Sequence, residues 1–241
     1  TVTISAVDQN QPASMQGGQT IVKTIEINPA DVDLLWEADN YVPNFYKGAS
    51  LPSAGSRIRI YALPNFRNSA GRVAQSNIIY KWRVNYADMG SSNRKNYLDF
   101  LLGDITQNKI TVTASNLSGE IVATKTLTLN PTTPKNIFYE VDSLLGTIYN
   151  VALVDVFNMS AKETVIKAEP YFMPNQGVKD FAWTTNGAPF TPLGGDIGTI
   201  TLRQGGRSAG ESSLGVNIKN QTGQSVLGSL LVKFGQNPFN F

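Results

Sequence analysis

Four short blocks recur in the same order in the two halves of the chain, and this repetition constrains the fold more than any other feature. Trp36-Glu37-Ala38-Asp39 is echoed by Tyr139-Glu140-Val141-Asp142, and Ile60-Tyr61-Ala62-Leu63-Pro64-Asn65-Phe66 by Ile166-Lys167-Ala168-Glu169-Pro170-Tyr171-Phe172. Tyr80-Lys81-Trp82-Arg83-Val84-Asn85 is matched by Phe181-Ala182-Trp183-Thr184-Thr185-Asn186. Ile110-Thr111-Val112-Thr113-Ala114-Ser115-Asn116, followed by Gly119, is matched by Leu214-Gly215-Val216-Asn217-Ile218-Lys219-Asn220, followed by Gly223. Partners stay 101–106 residues apart. Such constancy points to a duplicated unit of about 100 residues, an ordinary domain size.

Within each repeat the apolar period is two. Arg57-Ile58-Arg59-Ile60 and Ile110 to Ala114 alternate polar and apolar, as half-buried strands do. Val122 to Leu129 alternates as well, and Ser115 to Glu120 between them supplies the Asn and Gly of a hairpin turn. The second repeat follows suit: Val216 and Ile218, the turn Asn220-Gln221-Thr222-Gly223, then Val226 to Phe234. Short strands at such spacing predict an all-β fold of two tandem immunoglobulin-like β-sandwich domains with an N-terminal strand-forming arm. Trp36, Trp82, Tyr139 and Trp183 are the expected structural core aromatics. Tyr97 to Leu102 and Asp142 to Tyr149 are too short for helices and are expected as loops or single turns.

The expected domains are an extended arm over 1–30, sandwich one over 31–130 and sandwich two over 135–241 with an aromatic tail. Between the sandwiches, Pro131 and Pro134 make 131–134 a short, stiff linker. Val2 to Val7 and Gln19 to Ile27 are β-like. The arm either completes its own sheet, with Gln19 to Ile27 as the first strand of repeat one, or adds to a neighbour's edge as a donor strand. Val2, Ile4, Val7, Phe239 and Phe241 are the candidate subunit-contact residues, because exposed apolar ends gain from docking.

With no His and no Cys, imidazole- or thiolate-based catalysis, histidine metal sites, zinc ribbons and disulfides are excluded. A charge of +2 without a basic run leaves no electrostatic footprint for nucleic acid. No window reaches the roughly 18 apolar residues of a membrane span. The chain starts at Thr1 rather than Met, as expected of a processed or trimmed product, a start that leaves export open without showing it.

The Phe/Tyr-x-Trp-x-x-Asn strand and the final Val-x-Ile/Ala-x-Asn-x-x-Gly hairpin resemble immunoglobulin-like domains of the PKD type in bacterial exoproteins. Asn85-Tyr86-Ala87 and Asn186-Gly187-Ala188 stand where that type has Gly-Asp-Gly. Over about residues 32–235 the chain is similar to uncharacterised surface proteins of small-genome candidate-phylum bacteria. The matching stretches are Leu35-Trp36-Glu37-Ala38 with Pro43 to Gly48, Phe138-Tyr139-Glu140, and Ala168 to Phe172. The resemblance implies tandem sandwiches and an extracellular or cell-surface location, and no activity.

Chemistry is expected to be sparse. Glu37 with Asp39, and Glu140 with Asp142, are the candidate carboxylate pairs, since residues two apart share a strand face. A duplicated acid pair at a strand end also suits a turn or a salt bridge, and that reading is preferred. Asp31-Val32-Asp33 with Glu37 and Asp39 offers oxygen ligands for calcium but lacks a binding-loop pattern. Arg203 to Gly210 lacks phosphate-loop spacing and reads as a long exposed hairpin loop. Lys81 and Lys125 are candidates for a lysine–asparagine crosslink, and Asn116, Asn158 and Asn220 are glycan acceptor patterns. No catalytic residue, cofactor or metal ligand is assigned.

The leading functional expectation is a non-enzymatic exported structural protein. It would be a subunit of an extracellular filament, pilus or surface array that self-associates by strand addition. The alternative is a monomeric adhesion module that binds glycan or protein through loops bearing Tyr41, Phe45, Tyr46, Tyr86 and Tyr97. A carboxylate hydrolase using Glu37 and Glu140 comes last.

Overall fold

The computed structural model describes residues 2–7, 20–25, 30–192, 195–206 and 208–235. The chain forms two compact units. One comprises Thr1–Leu35, Tyr61–Asn96 and Ile110–Leu127; the other comprises Trp36–Ile60, Tyr97–Lys109 and Thr128–Phe241. No α-helix occurs among the described residues, where one 3-10 turn at Gln75–Asn77 interrupts the strands. The fold is all-β, with tandem sandwiches, as the alternation predicts.

Strands β1 (Val2–Val7) and β2 (Thr20–Ile25) pair antiparallel, Val2 opposite Ile25 and Val7 opposite Thr20, in a two-stranded sheet of their own. Eight strands follow: β3 (Ala30–Ala38), β4 (Arg57–Asn68), β5 (Gly71–Arg72), β6 (Ile78–Val84), β7 (Ala87–Ser92), β8 (Tyr97–Leu101), β9 (Asn108–Asn116) and β10 (Val122–Leu129). They form one sheet in the order β10-β9-β6-β7 and another in which β4 pairs with β3, β5 and β8. The chain continues with β11 (Lys135–Asp142), β12 (Gly146–Leu153), β13 (Val156–Met159), β14 (Glu163–Tyr171), β15 (Asp180–Thr185), β16 (Ala188–Phe190), β17 (Thr199–Arg203), β18 (Gly210–Lys219) and β19 (Ser225–Phe234). Their sheets run β12-β11-β14-β17 and β13-β19-β18-β15-β16.

The duplication is visible in strand order. The series β10-β9-β6-β7 has the connectivity of β19-β18-β15-β16, and β4 between β3 and β8 has that of β14 between β11 and β17. Register agrees with it: Trp82 lies opposite Val112, and Trp183 opposite Val216. Asn85 and Asn186, each three residues past its Trp, both turn the chain through the left-handed region, with φ of 49° and 48°. Asn tolerates that region better than most residues.

In the first unit Val32, Ala62, Phe66, Ile78, Tyr80, Trp82, Ile110, Val112 and Ala114 are buried and come from both sheets. The second unit's core joins Phe138, Met159, Ile166, Ala168, Met173, Trp183, Ile200, Leu214, Val216, Ile218, Val226, Leu230 and Val232. Each such large side chain contributes about 1.5–3 kcal/mol on leaving water. Trp183 also donates its indole N–H to the Ile197 carbonyl at 2.9 Å. Tyr139 is buried with the others, whereas Trp36 is half-buried.

Three local expectations change. Tyr97–Leu101 is strand β8, not a loop, because pairing with β4 and burial of Phe100 organise a run too apolar to show alternation. Asp142 to Tyr149 holds a turn only at its start, and β12 begins at Gly146, whose φ is 76°. The segment from Arg203 to Gly210 joins β17 to β18 in different sheets, so it is a crossover and not a hairpin loop.

Candidate functional site

The acid pairs separate into unrelated roles. Asp142 caps a turn, its Oδ1 accepting from Leu144 N at 2.7 Å and Leu145 N at 2.9 Å. Those two backbone donors, Leu145 first, hold its carboxyl below the ordinary range. Its repeat counterpart Asp39 is exposed and donates its backbone N–H to Arg57 O at 2.9 Å. Glu37 and Asp39 share a shallow cleft with Arg57, Arg59 and Asp99. There Arg59 grips Asp99 bidentately at 2.6 and 2.8 Å and lies 4.8 Å from the centroid of the Tyr97 ring. Cations therefore alternate with the acids, which suits salt bridges. Asp31 is occupied with its neighbour's N–H, and among the described residues no group of three His, Cys, Asp or Glu is placed to hold a metal ion.

The most elaborate side-chain cluster is one the sequence reading did not single out. Glu169, on β14, is 1% exposed. Tyr149 on β12 donates to its Oε1 at 2.9 Å, Lys167 Nζ lies 3.1 Å from the same oxygen, and Tyr41 donates to Oε2. A buried carboxylate is costly unless its lone pairs are filled, and here three donors fill them. Around this centre Phe45 stacks on Tyr149, with centroids 4.1 Å apart, and meets the edge of Tyr139. The Tyr139 and Tyr171 hydroxyls are 2.7 Å apart, and Tyr46 packs on Tyr171 and Phe172.

Backbone pairing fastens the same segment. Residues 39–56, between β3 and β4, bridge to the chain just after β14: Tyr41 N donates to Met173 O, Phe172 N to Tyr41 O and Asn175 N to Asp39 O. Buried Ser53 donates to Phe172 O, Gln176 to Gly55 O, and Gln224 to Ala54 O. Thr132 N, in the proline-flanked stretch, donates to Pro52 O at 2.6 Å.

Burial, reinforced by Glu169, pushes the Tyr41 and Tyr149 hydroxyls up, so both stay protonated donors at neutral pH. Burial alone would pull Lys167 down, but its contact with Glu169 outweighs that and raises it. Lys179, 4.7 Å from the Tyr41 ring centroid, is lowered by its burial. Such an arrangement suits a latch: the carboxylate is enclosed, and its partners are held in their donor forms.

Of the aromatics expected to bind a ligand, Tyr41 and Tyr46 are half-buried in these contacts, and Phe45 stacks on Tyr149 while staying 39% exposed. Tyr86, at the β6–β7 turn, remains 87% exposed. Both crosslink candidates face solvent, Lys81 beside Asp88 at 3.4 Å and Lys125 on the outside of β10. Asn116 and Asn220 serve their hairpins, accepting from Ile121 N and Gln224 N at 3.0 Å, while Asn158 is exposed on β13.

A cleft of about 260 Å³ opens in the second unit, floored by Met159, Leu202, Leu214 and Val232 and rimmed by Arg203 and Glu211. Elsewhere in that unit the outer strand β12 leaves Val151 55% exposed, beside a turn whose Leu144 and Leu145 are 93% and 80% exposed. Val2, Ile4 and Val7 lie in β1, and Phe239 and Phe241 lie outside the described residues. Among the described residues no helix is long and apolar enough to cross a membrane.

No family model matches the chain, and neither does any curated protein sequence. Among solved structures the chain is similar to the fibronectin(III)-like modules of Clostridium thermocellum CbhA, at 9% identity. That match covers 86% of this chain and 97% of that one, with a TM-score of 0.29. It is similar to the three N-terminal domains of the bacteriophage RB49 Highly Immunogenic Outer Capsid protein at 11% identity, covering 86% of this chain and 59% of that one, with a TM-score of 0.44. The mouse nectin-like molecule 4 ectodomain gives 12% identity, 94% and 73% coverage, and a TM-score of 0.28. The fold class rests on the strands and sheets described above.

Proposed function

We propose that this chain is a non-enzymatic structural β-sandwich protein of an extracellular or cell-surface assembly, and that its copies associate by strand addition through the N-terminal hairpin. The observation that carries this reading is the separate β1–β2 sheet. An isolated two-stranded hairpin is marginal in water and gains from a further strand at its edge. The Glu169 cluster supports the reading from another direction, since it commits the densest group of polar aromatics to internal cohesion. The Cys-free, Thr- and Asn-rich strands suit a module that works by shape.

Removing residues 1–29 tests it. The truncated chain is expected to keep its β-type circular dichroism and melting temperature while losing assembly, read by light scattering. Assembly unchanged after truncation contradicts the reading. An adhesion module is the second reading, favoured by the cleft with its apolar floor and its Arg203 and Glu211 rim. Ligand binding by a chain that stays monomeric at every concentration would select it.

A further inference from the structure

The cleft of about 260 Å³ in the second unit lies where strands of both its sheets reach one end of the sandwich. Met159, Thr185, Arg203 and Phe234 are the last residues of β13, β15, β17 and β19, and Glu211 is the second of β18. Leu202 and Phe234, on strands of opposite sheets, pack against the core and yet are only partly buried. The core therefore opens toward the cleft.

The chain leaves β19 at the same place. Phe234 is part of the cleft wall, and its ring comes within 2.8 Å of where a Cβ on Gly210 would stand. Gly235 follows at φ of 67°, and the Ala209 Cα lies 2.8 Å from where its own Cβ would be. Only glycine fits there, in conformation and in space. The exit is thereby held beside the crossover segment whose Arg203, Gln204 and Gly205 form another part of the wall. Beyond it run Gln236-Asn237-Pro238-Phe239-Asn240-Phe241, outside the described residues.

We infer that the ring of Phe239 fills this cleft in its own chain and completes the open end of the second core. The tether singles out that occupant. Phe239 is five residues from Phe234, a span of no more than about 17 Å. A tail that starts at the wall meets its own cleft at an effective concentration on the order of millimolar, which a second copy in dilute solution does not match. Size agrees: the cleft is smaller than the roughly 300–1,000 Å³ of small-molecule sites and suits one side chain. Both rim charges already have a counterpart, Arg203 with Glu163 at 2.5 Å and Glu211 opposite Lys233 in the β18–β19 pair. An aromatic ring can therefore cover the apolar floor without leaving an ion unpaired.

Chymotrypsin cleavage after Phe239 tests this on the intact chain. Docking predicts cleavage at least tenfold slower than in the free peptide spanning Gln236 to Phe241. An equal rate overturns the assignment. Methyl NMR then reads the location. Phe239→Ala should remove ring-current shifts from Leu202, Leu214 and Val232, whereas Phe241→Ala, two residues farther along, should leave them nearly in place. Slow cleavage with unmoved methyls seats Phe239 elsewhere and overturns the cleft as its site. Shifts lost only in Phe241→Ala overturn the choice of ring. The shifts should also be the same in dilute and concentrated samples. Shifts that vanish on dilution put a neighbour's tail in the cleft and overturn docking within the chain.

Discussion

The Tyr41 hydroxyl donates to the Glu169 carboxylate across 128 residues of sequence, on the opposite oxygen from Tyr149 and Lys167. This contact ties the segment between β3 and β4 to strand β14. Tyr41→Phe removes one charge-assisted hydrogen bond and is expected to cost about 1.5–3 kcal/mol. Glu169→Ala leaves Lys167 and the hydroxyls of two half-buried tyrosines without their acceptor and is expected to cost about 3–5 kcal/mol. Denaturant titration of the two variants, with slopes unchanged, checks both figures.

The same cluster sets an alkaline limit. Tyr41 and Tyr149 lie above the ordinary tyrosine value of 10.0, mainly because burial disfavours the phenolate, and Lys167 lies above its ordinary 10.5. Groups raised on folding contribute stability that is complete below their unfolded values and is lost as pH climbs toward the folded ones. Stability should therefore hold flat from pH 7 to about 9 and fall steeply above about 10. Lys179, lowered by burial, contributes the opposite sign. Melts of the double variant Tyr41→Phe, Tyr149→Phe, which keeps Lys179, read the tyrosine part as a shallower alkaline slope.

Gly119 and Gly223 close the two copies of one hairpin turn at φ of 76° and 84°, and nothing lies near where a Cβ would stand at either. The cost of Gly→Ala is then backbone strain alone, about 1–2 kcal/mol at each position. Equal penalties by chemical denaturation are the expected result. A penalty at one turn and none at the other would show that the turns have diverged in conformation.

Trp82 and Trp183 make a second matched pair, 4% and 1% exposed. Either Trp→Ala change is expected to cost about 3–5 kcal/mol. Amide exchange during partial unfolding should place the loss from Trp82→Ala on β6 and β9 and that from Trp183→Ala on β15 and β18. Loss spread evenly over the chain would contradict two separate cores.

What the sequence disclosed tracks where local chemistry is decisive. The hairpins β9–β10 and β18–β19 were legible because alternation, Asn and Gly all agree at one place, and Asn116 and Asn220 indeed close those turns. Strands β8 and β12 were not, since their apolar runs have no clean period and their pairing partners define them. The Glu169 cluster was hidden for a related reason. The acids that recur, Glu37 with Asp39 and Glu140 with Asp142, stand out in the sequence, whereas Glu169 occupies the block position held by Leu63 in the first repeat, and Leu63 is 44% exposed. A departure from the duplicate at a charged residue was the available signal. Nothing local announces that Tyr41 and Phe45 fold back onto β12 and β14, because those contacts span more than a hundred residues.

Molar mass by light scattering across a concentration series, with negative-stain images of the same samples, tests most directly whether these sandwiches serve as building elements. Each copy weighs 26.2 kDa. The account predicts mass that climbs with concentration beyond the dimer, and elongated particles that vanish when residues 1–29 are removed. A single species at the monomer mass throughout the series would contradict it.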